Sequence, residues 1–187
     1  MKITIKIGIL FALIWMLVKY LYHFIYPNST EIKFTILINM LLLISSIALG
    51  LYLHKKLEGF KQGNMLSDIK NALTSGVFYT LFVSLFIYVY YAFINPQFNE
   101  HQINEIKTSI KKEIDSEKGL KDIRKSQAAF EVKTKNQIYL ELIKGPEMFY
   151  SAKSTFILSL LSLLLLSTLY SILITVIYRK ILLKGLI

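Results

Sequence analysis

The sequence predicts an all-α polytopic membrane protein, with four transmembrane helices and a helical extracytoplasmic loop between spans three and four. Three observations predict it. The 187 residues are 54% apolar and 18% charged, and a mean hydropathy of +0.50 leaves too little polar side chain to clothe a water-soluble domain. The same composition excludes a disordered chain and a collagen-like repeat. Second, four runs stay apolar over the roughly 20 residues that a helix needs to cross about 30 Å of hydrocarbon: Ile7–Tyr26, Phe34–Leu53, Leu73–Ile94 and Ser154–Tyr178. Third, the charged stretch before the last run repeats isoleucine at helical spacing. The chain therefore divides into residues 1–95 (three spans and a short basic connection), 96–153 (the helical loop) and 154–187 (the fourth span and a basic tail).

The first span begins after Lys2 and Lys6. The segment that closes it, Tyr22-His23-Phe24-Ile25-Tyr26-Pro27, lacks the small residues that signal peptidase requires, so the span is expected to remain as a helix. At 100° per residue, Gly8, Ala12, Trp15, Lys19 and His23 fall within an arc of about 80°, while Leu10, Leu17 and Leu21 point elsewhere. Gly8 and Ala12 on that face permit close helix approach. Lys19 lies about 10 Å below the end of the helix at 1.5 Å per residue. An ammonium at that depth points to an anionic head group or to ion or proton movement. The structural alternative is a lysine that snorkels among Tyr20, Tyr22 and Tyr26, or one that bonds an acceptor across the bundle. Lys19, His23 and Trp15 are the candidate lipid or ligand contacts. The four apolar runs hold no Asp or Glu, which argues against a proton relay.

The second and third spans carry small or polar residues four apart, Ser46 and Gly50 in one and Gly76, Thr80 and Ser84 in the other. Ser159, Ser162, Ser167 and Ser171 give the fourth a small-residue side. Such spacing lets helices approach and hydrogen-bond, and Asn39 at mid-span can bond across an interface.

Orientation follows from basic residues near the spans. Lys2, Lys6, Lys55, Lys56, Lys61, Lys70, Arg179, Lys180 and Lys184 lie on one side, opposed by Glu58 and Asp68. The long loop of the other side balances eleven basic residues with nine acidic ones. Both termini are thus expected in the cytoplasm. The net charge of +10 reads as a topology signal, and no nucleic-acid partner is expected. Tyrosines and phenylalanines at the outer ends of the spans, such as Tyr88, Tyr90, Tyr91, Phe149 and Tyr150, suit the bilayer interface.

In the loop, Ile103, Ile106, Ile110 and Ile114 recur at spacings of three and four, opposite Glu105, Thr108 and Lys112. Further helices are expected around residues 121–132 and 135–144, the latter stopped by Gly145-Pro146. The isoleucine stripe either closes a small helical cap on itself or is a face for a partner or the bilayer surface.

Catalytic and metal patterns are absent. There is no phosphate loop, nucleophile elbow or HExxH, and no cofactor or metal is expected. Without cysteine, disulfide and thiolate chemistry drop out. His101 and Glu105 sit four residues apart beside Glu100, too few ligands for a metal site. Asn28-Ser29-Thr30 matches a glycosylation sequon.

Gly63 after the basic connection, then Asp68, Ala72 and Gly76 leading into a span, Tyr90-Tyr91 and Asn95-Pro96-x-Phe98 at its exit, and a charged helical loop before a last span with a basic tail form a pattern. It resembles the bacterial four-span membrane family of unknown function DUF4199. The resemblance implies a four-span envelope protein and supplies no activity or catalytic residue. The expectation is a non-enzymatic component of the bacterial inner membrane, an accessory or structural subunit of a cell-envelope assembly or a homo-oligomer. Its partners are the lipid bilayer and other membrane proteins or itself. The alternative is a small transporter or lipid-binding protein that uses Lys19.

Overall fold

The computed structural model describes residues 1–26, 33–60 and 62–182. The Asn28–Thr30 sequon, Lys61 and Lys184 lie outside the described residues. Helices α1 (Ile3–Ile25), α2 (Lys33–Glu58) and α3 (Met65–Val89) come first, and α3 passes into a π turn at Tyr90–Ile94. Then follow α4 (Pro96–Asp115), α5 (Glu117–Ser126), a 3-10 turn at Ala128–Phe130, α6 (Lys135–Phe149) and α7 (Ala152–Ile177), which closes in a π turn at Tyr178–Leu182. The fold is all-α, and among the described residues four helices are long and apolar enough to cross a membrane.

Helix α3 starts eight residues before the apolar run. Asn64 caps it by accepting from the Ser67 amide at 2.8 Å, and Ser67, Asp68, Lys70 and Asn71 make its first turns polar. The four-span pattern holds, but an acid now belongs to one of the long helices, because Asp68 lies in the first turn of α3.

The chain forms two compact units, Met1–Phe86 with Ile157–Ile187, and Ile87–Phe156. In the first, successive long helices run antiparallel, so α1 is parallel to α3 and α2 to α7. The start of α1 meets the early part of α3, where a Cβ on Gly8 would lie 3.2 Å from that of Phe78. The ends of α2 and α7 meet through Tyr52 and Tyr178, with ring centroids 6.3 Å apart. At the other end Trp15 packs edge-on against Phe86 and donates from Nε1 to the Thr35 carbonyl at 3.2 Å. Small residues set the spacing. A Cβ on Gly50 would come within 2.8 Å of Ser75, and one on Gly76 would collide with the Ser167 hydroxyl. The core of this unit is Ala12, Leu43, Ile47, Leu51, Ala72, Tyr79 and Val83, while Leu17, Leu41, Leu85 and Leu165 are all more than half exposed. Large apolar side chains outside and polar ones inside suit a lipid solvent.

The second unit has an ordinary apolar centre. Ile114, Phe130 and Ile138 are buried together, with Ile110, Leu120, Ile123, Tyr139 and Leu142 packed around them. Helix α4 starts where Pro96 takes the first helical position and Asn95 accepts from the Phe98 amide at 3.3 Å. Ser116 breaks α4 from α5 by bonding the Gly119 amide at 2.9 Å. The second loop helix therefore begins and ends earlier than residues 121–132, and the 3-10 turn delivers Phe130 to the core.

A capping box of Thr134 and Gln137 opens α6. Contrary to expectation, Gly145-Pro146 does not stop it; the helix runs on to Phe149. Glycine before proline has no Cβ to strike the ring, and the buried Ile138 and Ile143 anchor the helix between its capping turn and its proline turn. Lys107 reaches Glu147 at 2.6 Å across α4 and α6. The hydrogen bond to that carboxylate holds the Lys107 ammonium above its usual range.

Candidate functional site

The densest polar cluster of the first unit sits where α2 ends, α3 begins and α7 ends. Each of these elements supplies a charge. Asp68 on α3 is buried, and its Oδ1 lies 2.8 Å from Lys55 Nζ on α2, an ion pair without an aligned hydrogen bond. Its Oδ2 accepts from Arg179 Nε at 2.7 Å, and Arg179 Nη2 lies 2.7 Å from the same oxygen as an ion pair. Arg179 Nη2 also donates to the Gly63 carbonyl at 2.9 Å, and Lys55 Nζ donates to the Gln62 carbonyl.

The α2–α3 connection is shaped to offer these carbonyls. Gly59 (φ +109°) closes α2, its amide donating to the Lys55 carbonyl at 2.9 Å. Gly63 (φ +78°) turns the chain back, and a Cβ there would sit 3.4 Å from Lys55 Nζ. Only glycine holds that backbone without strain.

Beside the ion pairs, His54 Nε2 lies 2.8 Å from Asn71 Nδ2 and 3.1 Å from Glu58 Oε2. One ring nitrogen cannot donate to the carboxylate and accept from the amide together. With the proton on Nε2 the ring donates to Glu58; with it on Nδ1, Nε2 accepts from the Asn71 amide.

Lys55 and Asp68 are almost fully buried, at 1% and 2% side-chain exposure, and Arg179 keeps 30%. The buried carboxylate is shared by two cations: removing Asp68 leaves Lys55 buried without its counter-ion, whereas removing either cation leaves Asp68 with the other. Here it joins residues 111 positions apart in sequence.

Further up the bundle, polar side chains bond helix to helix. Tyr79 donates to Asn39 Oδ1 at 2.6 Å, and the Ser46 and Ser75 hydroxyls lie 3.0 Å apart. Gly8 and Gly50 both abut Ser75. Gly8, Ala12, Trp15 and Lys19 are buried along α1, Lys19 to 8% exposure, and His23 is half-buried. Thr80 and Ser84 are buried on α3.

In the second unit Ile114 lies in the core and Ile110 packs on it, while Ile103 and Ile106 are half-buried. His101 and Glu105 lie 3.8 Å apart with both side chains exposed, and no group of three or more potential metal ligands occurs among the described residues.

In the sequence alone Lys55 and Arg179 read only as topology charges. The signal available was the lone acid Asp68 at a helix start between basic segments, together with Asn64 and Gly63 marking that start earlier than hydropathy does.

A family model described as a protein of unknown function, DUF4199, matches residues 6–181. No curated protein and no solved structure matches the chain.

Proposed function

The chain belongs to the DUF4199 family, and from that premise we propose that it is a non-enzymatic inner-membrane component acting through contacts. It serves as an accessory or structural subunit of a bacterial cell-envelope assembly or as a homo-oligomer. The observation that supports this reading is what the polar side chains inside the first unit do. Asp68, Lys55, Arg179, Tyr79, Asn39, Ser46 and Ser75 are all engaged in bonds between helices. Basic residues flanking the spans support cytoplasmic termini and an extracytoplasmic 96–153 loop.

Gentle detergent extraction followed by mass spectrometry of the intact species tests the role. The expected result is a fixed stoichiometry with another membrane protein, or a multiple of 21.7 kDa. A monomer that carries a solute across proteoliposomes contradicts it. Reporter domains after Lys61 and Lys184 should behave as cytoplasmic and one near Glu117 as external.

Lys19 favours a second reading, a lipid-binding or transporting role, since it is 8% exposed on the buried face of α1 beside Trp15. Under that reading Lys19→Met abolishes complementation while the melting temperature in detergent holds or rises, and Lys19→Arg rescues in part. Full activity of Lys19→Met removes the reading.

A further inference from the structure

Helix α7 is fastened differently from the other three long helices. Between α1, α2 and α3 the bonds are spread along the bundle, Trp15 to the Thr35 carbonyl, Tyr79 to Asn39, and Ser46 with Ser75. Where α7 meets α3, two rows of residues four apart face each other in antiparallel register. Ala72, Gly76, Thr80 and Ser84 form one row, and Leu163, Ser167, Ser171, Thr175 and Arg179 the other. Two contacts set the register, Gly76 against the Ser167 hydroxyl and Asp68 with Arg179.

The hydroxyls of Thr80, Ser84, Ser167 and Thr175 are fully buried and make no hydrogen bond. Among the described residues, Thr4 is the one other buried hydroxyl in that state. In a membrane a hydroxyl helps to join helices through a hydrogen bond across the interface, and these four make none. They therefore add no bond that holds the rows shut, whereas the Arg179 contacts to Asp68 and the Gly63 carbonyl do.

We infer that α7 is a releasable helix: the α3–α7 seam opens to water, and Arg179 on Asp68 and Gly63 is the latch that keeps it shut. The latch stands at the polar end of the bundle with 30% of the Arg179 side chain exposed, within reach of anything that competes for the guanidinium. Asp68 keeps Lys55 when Arg179 leaves, so release does not strand a buried carboxylate. The three-helix remainder keeps its own bonds in both states.

The chain has no native cysteine, which makes single introduced cysteines clean reporters. Thr175→Cys reports on the seam and Ser46→Cys on the α2–α3 interface; both positions are fully buried. Each is placed in the otherwise native full-length protein and in Arg179→Gln, in membranes, and its reaction with a small water-soluble thiol reagent is timed. Opening of a latched seam predicts that Arg179→Gln speeds labelling of Thr175→Cys at least tenfold and leaves Ser46→Cys protected, with Arg179→Lys in between. Equal labelling of Thr175→Cys with and without Arg179 overturns the latch. A rise at Ser46→Cys as large as that at Thr175→Cys overturns it too, because the whole bundle has then loosened or failed to fold.

Discussion

The two units of this chain are built inside out with respect to each other. In the first, Asp68, Lys55, Ser75 and Thr80 are buried and leucines such as Leu17 and Leu165 face outward. In the second, Ile114, Phe130 and Ile138 are buried while Lys118, Lys121 and Lys125 are exposed. The same twenty side chains, sorted oppositely, indicate opposite solvents. In lipid, apolar surface has no reason to hide and polar groups supply the cohesion between helices. In water the apolar groups supply it. Substitutions should therefore obey opposite rules in the two units.

The largest effect is expected at the ion cluster. Asp68→Leu leaves Lys55 buried without its counter-ion, and breaking a buried pair from one side costs about 3–5 kcal/mol. Thermal unfolding in detergent should show it as a strong destabilisation. Adding Lys55→Met to that variant should recover most of the loss, since a well-packed apolar pair replaces a buried ionic one at little or no cost. Failure of the double variant to recover would mean that Asp68 acts mainly through Arg179.

Next is the apolar core of the second unit. Ile138→Ala removes a fully buried side chain and should cost roughly 2–5 kcal/mol. Hydrogen exchange should rise along α4 and α6 and stay unchanged at Leu43 to Leu51 of α2. Exchange rising equally in both places would merge the two units into one.

A smaller effect is expected at Gly76. A methyl there strikes the Ser167 hydroxyl and lies 3.0 Å from Ile47 Cδ1, so Gly76→Ala should cost about 1–3 kcal/mol by overpacking. Gly76→Ala combined with Ser167→Gly should restore the melting temperature. The smallest effect belongs to the surface of the second unit. Lys133 bonds both oxygens of Glu141 at 2.7 Å in the open, and Lys133→Gln should change stability by no more than about 1 kcal/mol.

What was legible in the sequence was periodic. The apolar runs marked the four long helices, and the wheel of α1 picked out Gly8, Ala12, Trp15, Lys19 and His23, of which the first four are buried and His23 is half-buried. The residues carrying the family resemblance acquire physical roles: Gly63 holds a left-handed turn, Asp68 takes two cations, Ala72 and Gly76 line the row facing α7, and Asn95-Pro96 starts α4. The ion cluster itself was not legible. Its members are spread over 125 residues, and hydropathy clipped Asp68 from α3 because the polar first turns of that helix look like a loop. The run of α6 through Pro146 was hidden as well, since the packing that sustains it comes from other helices.

The claim that the two units meet different solvents is tested most directly by comparing two residues that are both open in the fold. Leu165 is 65% exposed in the first unit and Val132 is 92% exposed in the second. Each is changed to cysteine in the otherwise cysteine-free chain, and the intact membrane is treated with a charged, water-soluble thiol reagent. Val132→Cys should react within minutes and Leu165→Cys should remain unmodified until the bilayer is dissolved in denaturant. Reaction of Leu165→Cys at the rate of Val132→Cys would contradict the account, because the leucine face of the first unit would then lie in water.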